Sequence, residues 1–125
     1  MKTIALAASL LLLPGCLLVA GAAVGAGVVY ATGEDTAEVR VEVNPAAAYA
    51  AAREEVLARG KVETSDPEAG ILTGTIGSSS VKVTVREEAQ EGHSFVSVKA
   101  RTNAGLGPDM ETARTLTVAV VKRTR

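Results

Sequence analysis

The sequence predicts an α+β fold, a two-layer sandwich in which a mainly antiparallel sheet of about five strands carries two helices on one face. Two observations predict it. Valine alternates with polar residues in several short segments separated by turn residues, which is typical of half-buried strands. Two longer segments instead place apolar residues at helical spacing. The predicted order is β-α-β-β-β-β-α.

The first predicted strand, residues 37–43, has valine at every second position and charged residues between. A helix is predicted over residues 45–59. Asn44 can cap its first turn, Pro45 suits its first position, and Gly60 can end it.

Four further strands follow, separated by short turns rich in Asp, Pro, Gly and Ser. The last two of them have valine at alternate positions, which predicts an antiparallel sheet with one covered face. The four predicted strands are 61–65, 70–76, 80–87 and 94–101.

The last segment, residues 108–121, contains many β-branched residues, which favour strands. We nevertheless predict a helix, because Pro108 suits a first turn and the acidic Asp109 and Glu111 favour the positive end of a helix dipole. Basic residues follow Val121, where the dipole is negative. The buried stripe would comprise Met110, Ala113, Leu116 or Thr117, and Val120.

The N-terminal third is an uncharged run between Lys2 and Glu34. A transmembrane helix over 4–31 would span about 42 Å, too long for a hydrocarbon core of about 30 Å, and Pro14-Gly15 would interrupt it. A short positive start and an apolar stretch before this break instead predict a secretion signal. The predicted division is a signal peptide at 1–15, a tether at 16–33 and a globular domain at 34–125.

Leu13-Pro14-Gly15-Cys16 resembles the lipobox of bacterial lipoproteins, with Pro14 where a small or hydroxylated residue is usual. The resemblance implies cleavage before Cys16, a diacylglyceryl group on its sulfur, fatty acylation such as palmitate, and membrane attachment. Leu17, as a residue other than Asp, implies the periplasmic leaflet of the outer membrane in a Gram-negative cell. The alternative is that Cys16 is an ordinary apolar residue of a signal peptide or span.

Residues 17–31 are rich in glycine and alanine, with Gly21, Gly25 and Gly27 in an apolar stretch. Small residues four apart let helices approach closely, so one interpretation is self-association into a homo-oligomer. The alternative is a passive tether or a shallow membrane insertion, because glycine lowers helix stability.

The order of these parts resembles a family of small bacterial lipoproteins whose function is unknown: a lipobox, a Gly/Ala-rich segment, then one α+β domain. Three pieces carry the resemblance: the Gly-rich stretch that ends near Tyr30 to Gly33, the Ala-rich helix that ends in Arg59-Gly60, and Leu106-Gly107-Pro108-Asp109 at the start of the final helix. It implies location and fold, and no reaction.

The amino-acid composition excludes several classes of function. A net charge of −1 and an aromatic content of 2% give no basic field or stacking surface for nucleic acid. One His and one Cys exclude a zinc site built from several such ligands. His93, in a turn, is expected to be exposed, and no catalytic pair is recognisable. We therefore expect no enzymatic activity, cofactor or metal.

The uncovered face of the predicted sheet is the candidate partner surface. Its two neighbouring strands would place four cations and a ring together: Lys82, Arg86, Phe95, Lys99 and Arg101. This arrangement suits an anionic envelope component or an envelope protein. The alternative is a solvated face balanced by Glu38, Glu42 and Glu63.

The sequence thus predicts a non-enzymatic, lipid-anchored bacterial cell-envelope protein that acts as a binding or structural module. The competing hypothesis is a membrane-inserting or oligomeric protein that works through the glycine segment.

Overall fold

A computed structural model of the protein describes residues 29–90, 92–102 and 105–125. The elements within them are, in chain order, β1 (Tyr30–Ala31), β2 (Thr36–Val41), α1 (Pro45–Arg59), β3 (Lys61–Asp66), β4 (Ile71–Ile76), β5 (Ser79–Glu87), β6 (Ser94–Thr102), β7 (Gly107–Pro108) and α2 (Met110–Arg123). The predicted signal peptide, lipobox, Cys16 and glycine-packing positions lie outside the described residues.

The strands form one antiparallel sheet in the order β1-β2-β6-β5-β4-β3, and β7 pairs with β6 beside β2. This confirms the α+β class with an antiparallel sheet and two helices. The strand number exceeds the predicted five because two pairings, each of only two residues, were not foreseen. One of them, β1, extends the sheet into the segment that the sequence assigned to the tether.

Both helices lie on the same side of the sheet. Helix α1 packs mainly on β3, β4 and β5, whereas α2 packs on β2 and β6. The core between the layers consists largely of valine and alanine, each buried valine contributing about 1.5–3 kcal/mol. Its sheet-side members include Val39, Val41, Val81, Val83, Val85, Val96 and Val98. The valine alternation in the sequence therefore does mark the covered face.

Helix α1 has the predicted bounds, and its cap is also as predicted, since the Asn44 side chain accepts a hydrogen bond from the Ala47 N–H at 2.9 Å. Gly60, however, ends the helix for a different reason from the one expected. Its φ of −167° is extended rather than left-handed, so its dihedral angles do not require glycine. A Cβ there would lie 1.9 Å from the Thr75 carbonyl oxygen, so glycine allows β4 to approach the helix end.

The start of α2 corrects the prediction that Pro108 opens the helix. Pro108 belongs to β7 and faces Arg101 of β6, and the helix begins at Met110. Asp109 is the N-cap. Its side chain accepts hydrogen bonds from the N–H (3.1 Å) and hydroxyl (2.6 Å) of Thr112 and from the Ser79 hydroxyl. The cap therefore also ties α2 to β5.

A buried carboxylate joins the two helices. Glu55 of α1 accepts hydrogen bonds from Arg59 at 3.1 Å and from Arg123 of α2 at 2.6 Å. Burial acts to raise the pKa of Glu55, but the hydrogen bonds and charges of both arginines outweigh it and hold the pKa below its ordinary value. The hydrogen bond between Arg123 and Glu55 thus holds the end of α2 against α1.

We predict that Asp109→Ala lowers the free energy of unfolding by about 1 kcal/mol near pH 7, the usual cost of losing an N-cap. Hydrogen bonds from Ser79 and Thr112 lower the pKa of Asp109 below its ordinary 3.8. A depressed pKa stabilises the fold above the unfolded value, and this stabilisation is lost as pH falls through the folded value. The difference from wild type should therefore narrow below pH 3.8.

Denaturant unfolding across this pH range measures the effect. Asp109→Asn is the matched control, because its amide oxygen keeps the cap while the charge is lost. Asp109→Asn should be more stable than Asp109→Ala at neutral pH. Its free energy of unfolding should fall less than that of wild type as the pH is lowered, because position 109 no longer titrates. An Asp109→Ala deficit that stays constant as the pH falls would contradict the assignment.

Candidate functional site

The candidate site is the open face of the sheet, opposite the two helices. Side chains that alternate with the buried valines point to this face, and the strand register sets their neighbours. Lys82 of β5 lies directly opposite Lys99 of β6, and Arg86 lies opposite Phe95. The structure thus places these predicted residues on adjacent strands, in two groups separated by about 13 Å along β6.

The first group is centred on Phe95. The guanidinium carbon of Arg86 lies 4.9 Å from the centroid of the half-buried Phe95 ring, in cation–π geometry. A nitrogen of the same guanidinium lies 3.4 Å from a carboxylate oxygen of Glu38. Arg86 is therefore already engaged by a ring and a counter-ion.

Arg101 is engaged even more completely. Its Nε donates to the Gly105 carbonyl at 2.8 Å, one terminal nitrogen donates to Asp35 at 2.5 Å, and the other donates to the Leu106 carbonyl at 3.5 Å. These contacts fasten the loop after β6 and the residue before β2 to the sheet. The predicted binding arginine has a structural role.

Asp35 is a residue that the sequence analysis missed. A hydrogen bond from Arg101 lowers its pKa, helped by a hydrogen bond from Thr36 and by the nearby charge of Lys99. The sequence shows only that Asp35 comes just before the first long strand. Its partner, Arg101, is 66 residues away in the sequence. No local pattern connects the two.

The second group contains the two lysines. Within the residues that the structure describes, neither Lys82 nor Lys99 has a carboxylate within 4.0 Å of its ammonium nitrogen, and both are exposed. Like charges directly opposite each other destabilise an antiparallel pair. The sheet therefore places two like-charged side chains opposite each other near its centre.

A shallow depression of about 260 Å³ lies over this pair. Its other lining residues include Arg101, Thr73, Ser80 and, as an acidic member, Glu63. Ammonium and hydroxyl groups are hydrogen-bond donors that suit an anion. The arrangement can hold an anionic group by charge and hydrogen bonding.

Of the three acidic residues expected to balance this face, Glu63 lines the depression beside the lysines. Glu38 pairs with Arg86, whereas Glu42 lies 3.8 Å from the Nε2 of His93. The side chain of His93 is only 17% exposed, so the expectation of an exposed histidine was wrong. The turn folds back on itself, since the Glu88 N–H donates to the His93 carbonyl at 3.2 Å.

Neither a metal-binding cluster nor a membrane-spanning helix is found in the described ranges. No group of three or more His, Cys, Asp or Glu side chains comes together there in a way that could hold a metal ion. No helix in that part of the chain is long and apolar enough to cross a membrane.

These features define a class of small two-layer α+β domain whose uncovered sheet face carries a cationic depression. The chain belongs to a family of proteins of unknown function (DUF3568), which it matches over residues 1–120. No curated protein and no solved structure matches it.

We predict that Lys82→Glu raises the free energy of unfolding by about 0.5 kcal/mol at low salt, because it replaces a like-charge pair by an opposite-charge pair. Lys82→Gln should give a smaller gain. The gain should shrink in about 1 M salt, where the Debye length is about 3 Å. Denaturant unfolding at two salt concentrations measures both effects.

The matched control is Thr84→Glu, two residues along the same strand and opposite Ser97 rather than a lysine. It introduces the same carboxylate opposite a neutral residue, with Lys82 and Arg86 two positions away along the strand, so only a smaller gain is expected. A loss of stability in Lys82→Glu would show that the two lysines do not repel each other in the fold.

Proposed function

We propose that this protein is a non-enzymatic, lipid-anchored component of the bacterial cell envelope that acts as a binding or structural module. The observation that carries the proposal is the position of Cys16, the single cysteine, at the end of an uncharged apolar stretch and directly after Leu13-Pro14-Gly15. Acyl chains on this residue would attach the chain persistently, because two or more chains hold a protein to a bilayer where one does not.

The family match supports treating the anchor segment and the domain as one unit. It runs from residue 1 to residue 120 and so includes both the uncharged run and the folded domain. In a Gram-negative cell, the proposed location is the periplasmic leaflet of the outer membrane, given Leu17 after the cysteine.

The open sheet face is the proposed binding surface. The cations available there for a partner are Lys82 and Lys99, while Arg86, Phe95 and Arg101 are the residues that frame and support them. The partner on this proposal is an anionic envelope component or an envelope protein with acidic groups. No cofactor, metal or nucleic acid takes part.

We predict that Cys16→Ala abolishes lipid modification. The intact mass of the wild-type protein from the membrane fraction should correspond to a chain beginning at Cys16 plus acyl groups. The substituted protein should lack the acyl mass. A wild-type mass that corresponds to an unmodified chain would overturn the lipoprotein proposal.

The second candidate function is assembly through the glycine segment, favoured by the small-residue spacing of Gly21, Gly25 and Gly27. Leucine side chains would block close helix approach, so Gly21→Leu with Gly25→Leu should abolish oligomers on this hypothesis. The lipid-anchor proposal expects no change. Crosslinking in membranes, with Ala22→Leu and Ala26→Leu as matched changes off the glycine positions, distinguishes the two.

A further inference from the structure

Exposed apolar side chains border the open face at two places. Tyr30, 55% exposed, lies on β1 opposite Glu38, so its side chain is on the same face as the lysines. Leu106, 83% exposed, lies in the loop that Arg101 fastens beside the depression. The third exposed large apolar residue among those described, Leu57, is on α1 in the other layer.

Cations flanked by exposed apolar side chains are typical of proteins that rest on a membrane surface. Lysine ammonium groups meet anionic headgroups, while leucine and the amphipathic tyrosine ring enter the interfacial zone. A small soluble anion would contact only the lysines, whereas a bilayer surface can contact the lysines, Leu106 and Tyr30 together. The combination therefore favours lipid as the occupant.

We propose that the open sheet face docks onto anionic phospholipid headgroups of the bilayer that holds acylated Cys16, with lipid phosphate at Lys82 and Lys99 and apolar contacts from Tyr30 and Leu106. The inference rests on the proposed acylation of Cys16. It assigns a lipid ligand class to a surface whose partner is otherwise unidentified.

The length of the tether makes this contact accessible. Tyr30 lies 14 residues after Cys16, so even a fully extended chain keeps the domain within about 50 Å of the membrane surface. Linkage at this range converts docking into an intramolecular step with a high effective concentration. A weak attraction then suffices, which fits a face that offers two lysines rather than a strongly basic one.

The fold also explains how Leu106 is presented. Two donors of Arg101 hold the carbonyls of Gly105 and Leu106, and a third holds Asp35. The loop backbone is thereby tied to β6 while the leucine side chain remains in solvent. Arg101 thus acts as a positioning residue for the apolar contact.

The helix layer offers a matched comparison. Arg114 and Lys122 line a groove of about 290 Å³ beside Arg59, on the side of the molecule away from the open face. Neither has an ion-pair partner within 4.0 Å in the described part of the chain. Neutralising this pair removes the same charge as neutralising Lys82 and Lys99, from the opposite layer.

The test uses the full chain, purified from membranes with its anchor and reconstituted into phosphatidylcholine vesicles with or without phosphatidylglycerol. A polarity-sensitive thiol label is placed through Leu106→Cys or, as the control, Leu57→Cys. Acylated Cys16 has no free thiol and takes no label. Quenching by neutral acrylamide reports whether each label is in water, and circular dichroism confirms folding of each variant.

On vesicles containing phosphatidylglycerol, the label at position 106 should be shielded from acrylamide while the label at position 57 remains accessible. Lys82→Gln with Lys99→Gln should lower the ratio of docked to undocked domain about 30-fold, given the attraction of each lysine to an anionic surface. Arg114→Gln with Lys122→Gln should leave that ratio unchanged.

Equal accessibility at positions 106 and 57 on these vesicles would overturn the docking proposal while leaving the lipid anchor intact. The docking proposal would also be overturned if Arg114→Gln with Lys122→Gln released the domain while Lys82→Gln with Lys99→Gln did not. A second label on the chain would show a free Cys16 thiol, in which case the proposed anchor fails and the docking proposal fails with it. The two failures are thus distinguishable.

Discussion

Packing of both helices on one face of the sheet is the interaction on which the rest of the molecule depends. The valines of β2, β5 and β6 are buried beneath α1 and α2, and alternation along each strand then sends every intervening side chain to the other face. That face has no second layer of helices among the described residues, so the polar side chains there remain hydrated. The position of each lysine, threonine and aromatic ring on the open face is therefore a consequence of where the valines lie. A slip of one residue in any of these strands would exchange core and surface.

Three arginines and two lysines of the described residues differ in what they contact. The arginines Arg86, Arg101 and Arg123 meet carboxylates from distant parts of the chain, and their planar, multivalent guanidinium groups suit that structural use. The lysines of β5 and β6 face each other instead. A protein that needed only solubility on this face could have separated them, since opposed like charges weaken a strand pair. These three arginines therefore hold distant parts of the fold together, whereas Lys82 and Lys99 have no carboxylate within 4.0 Å among the described residues.

Most of the fold could be predicted from the sequence because its signals are local. Valine alternation identified the long strands, and Asn44-Pro45 identified the start of α1, since both depend on near neighbours in the chain. Pro108 was placed wrongly because its conformation is decided by pairing with Arg101, which no pattern around Pro108 reveals. The same reason applies to the site. The sequence placed Lys82 and Lys99 on adjacent strands, but it could not show that Asp35 neutralises Arg101 or that Glu42 lies beside His93. The membrane anchor, outside the described residues, stays a prediction.

The pairing of β2 with β6 has a consequence for the order in which the chain folds. Strands β3 to β6 form successive hairpins between neighbours in sequence, whereas Val39 meets Val96 across more than half of the domain. Closing so long a loop costs entropy before any contact compensates for it, and such pairings slow folding. We expect the hairpins to form early and β2 to join late, followed by α2, which covers both β2 and β6. During synthesis from the N-terminus, β2 would thus emerge early and pair with β6 late, leaving its valines exposed throughout that interval.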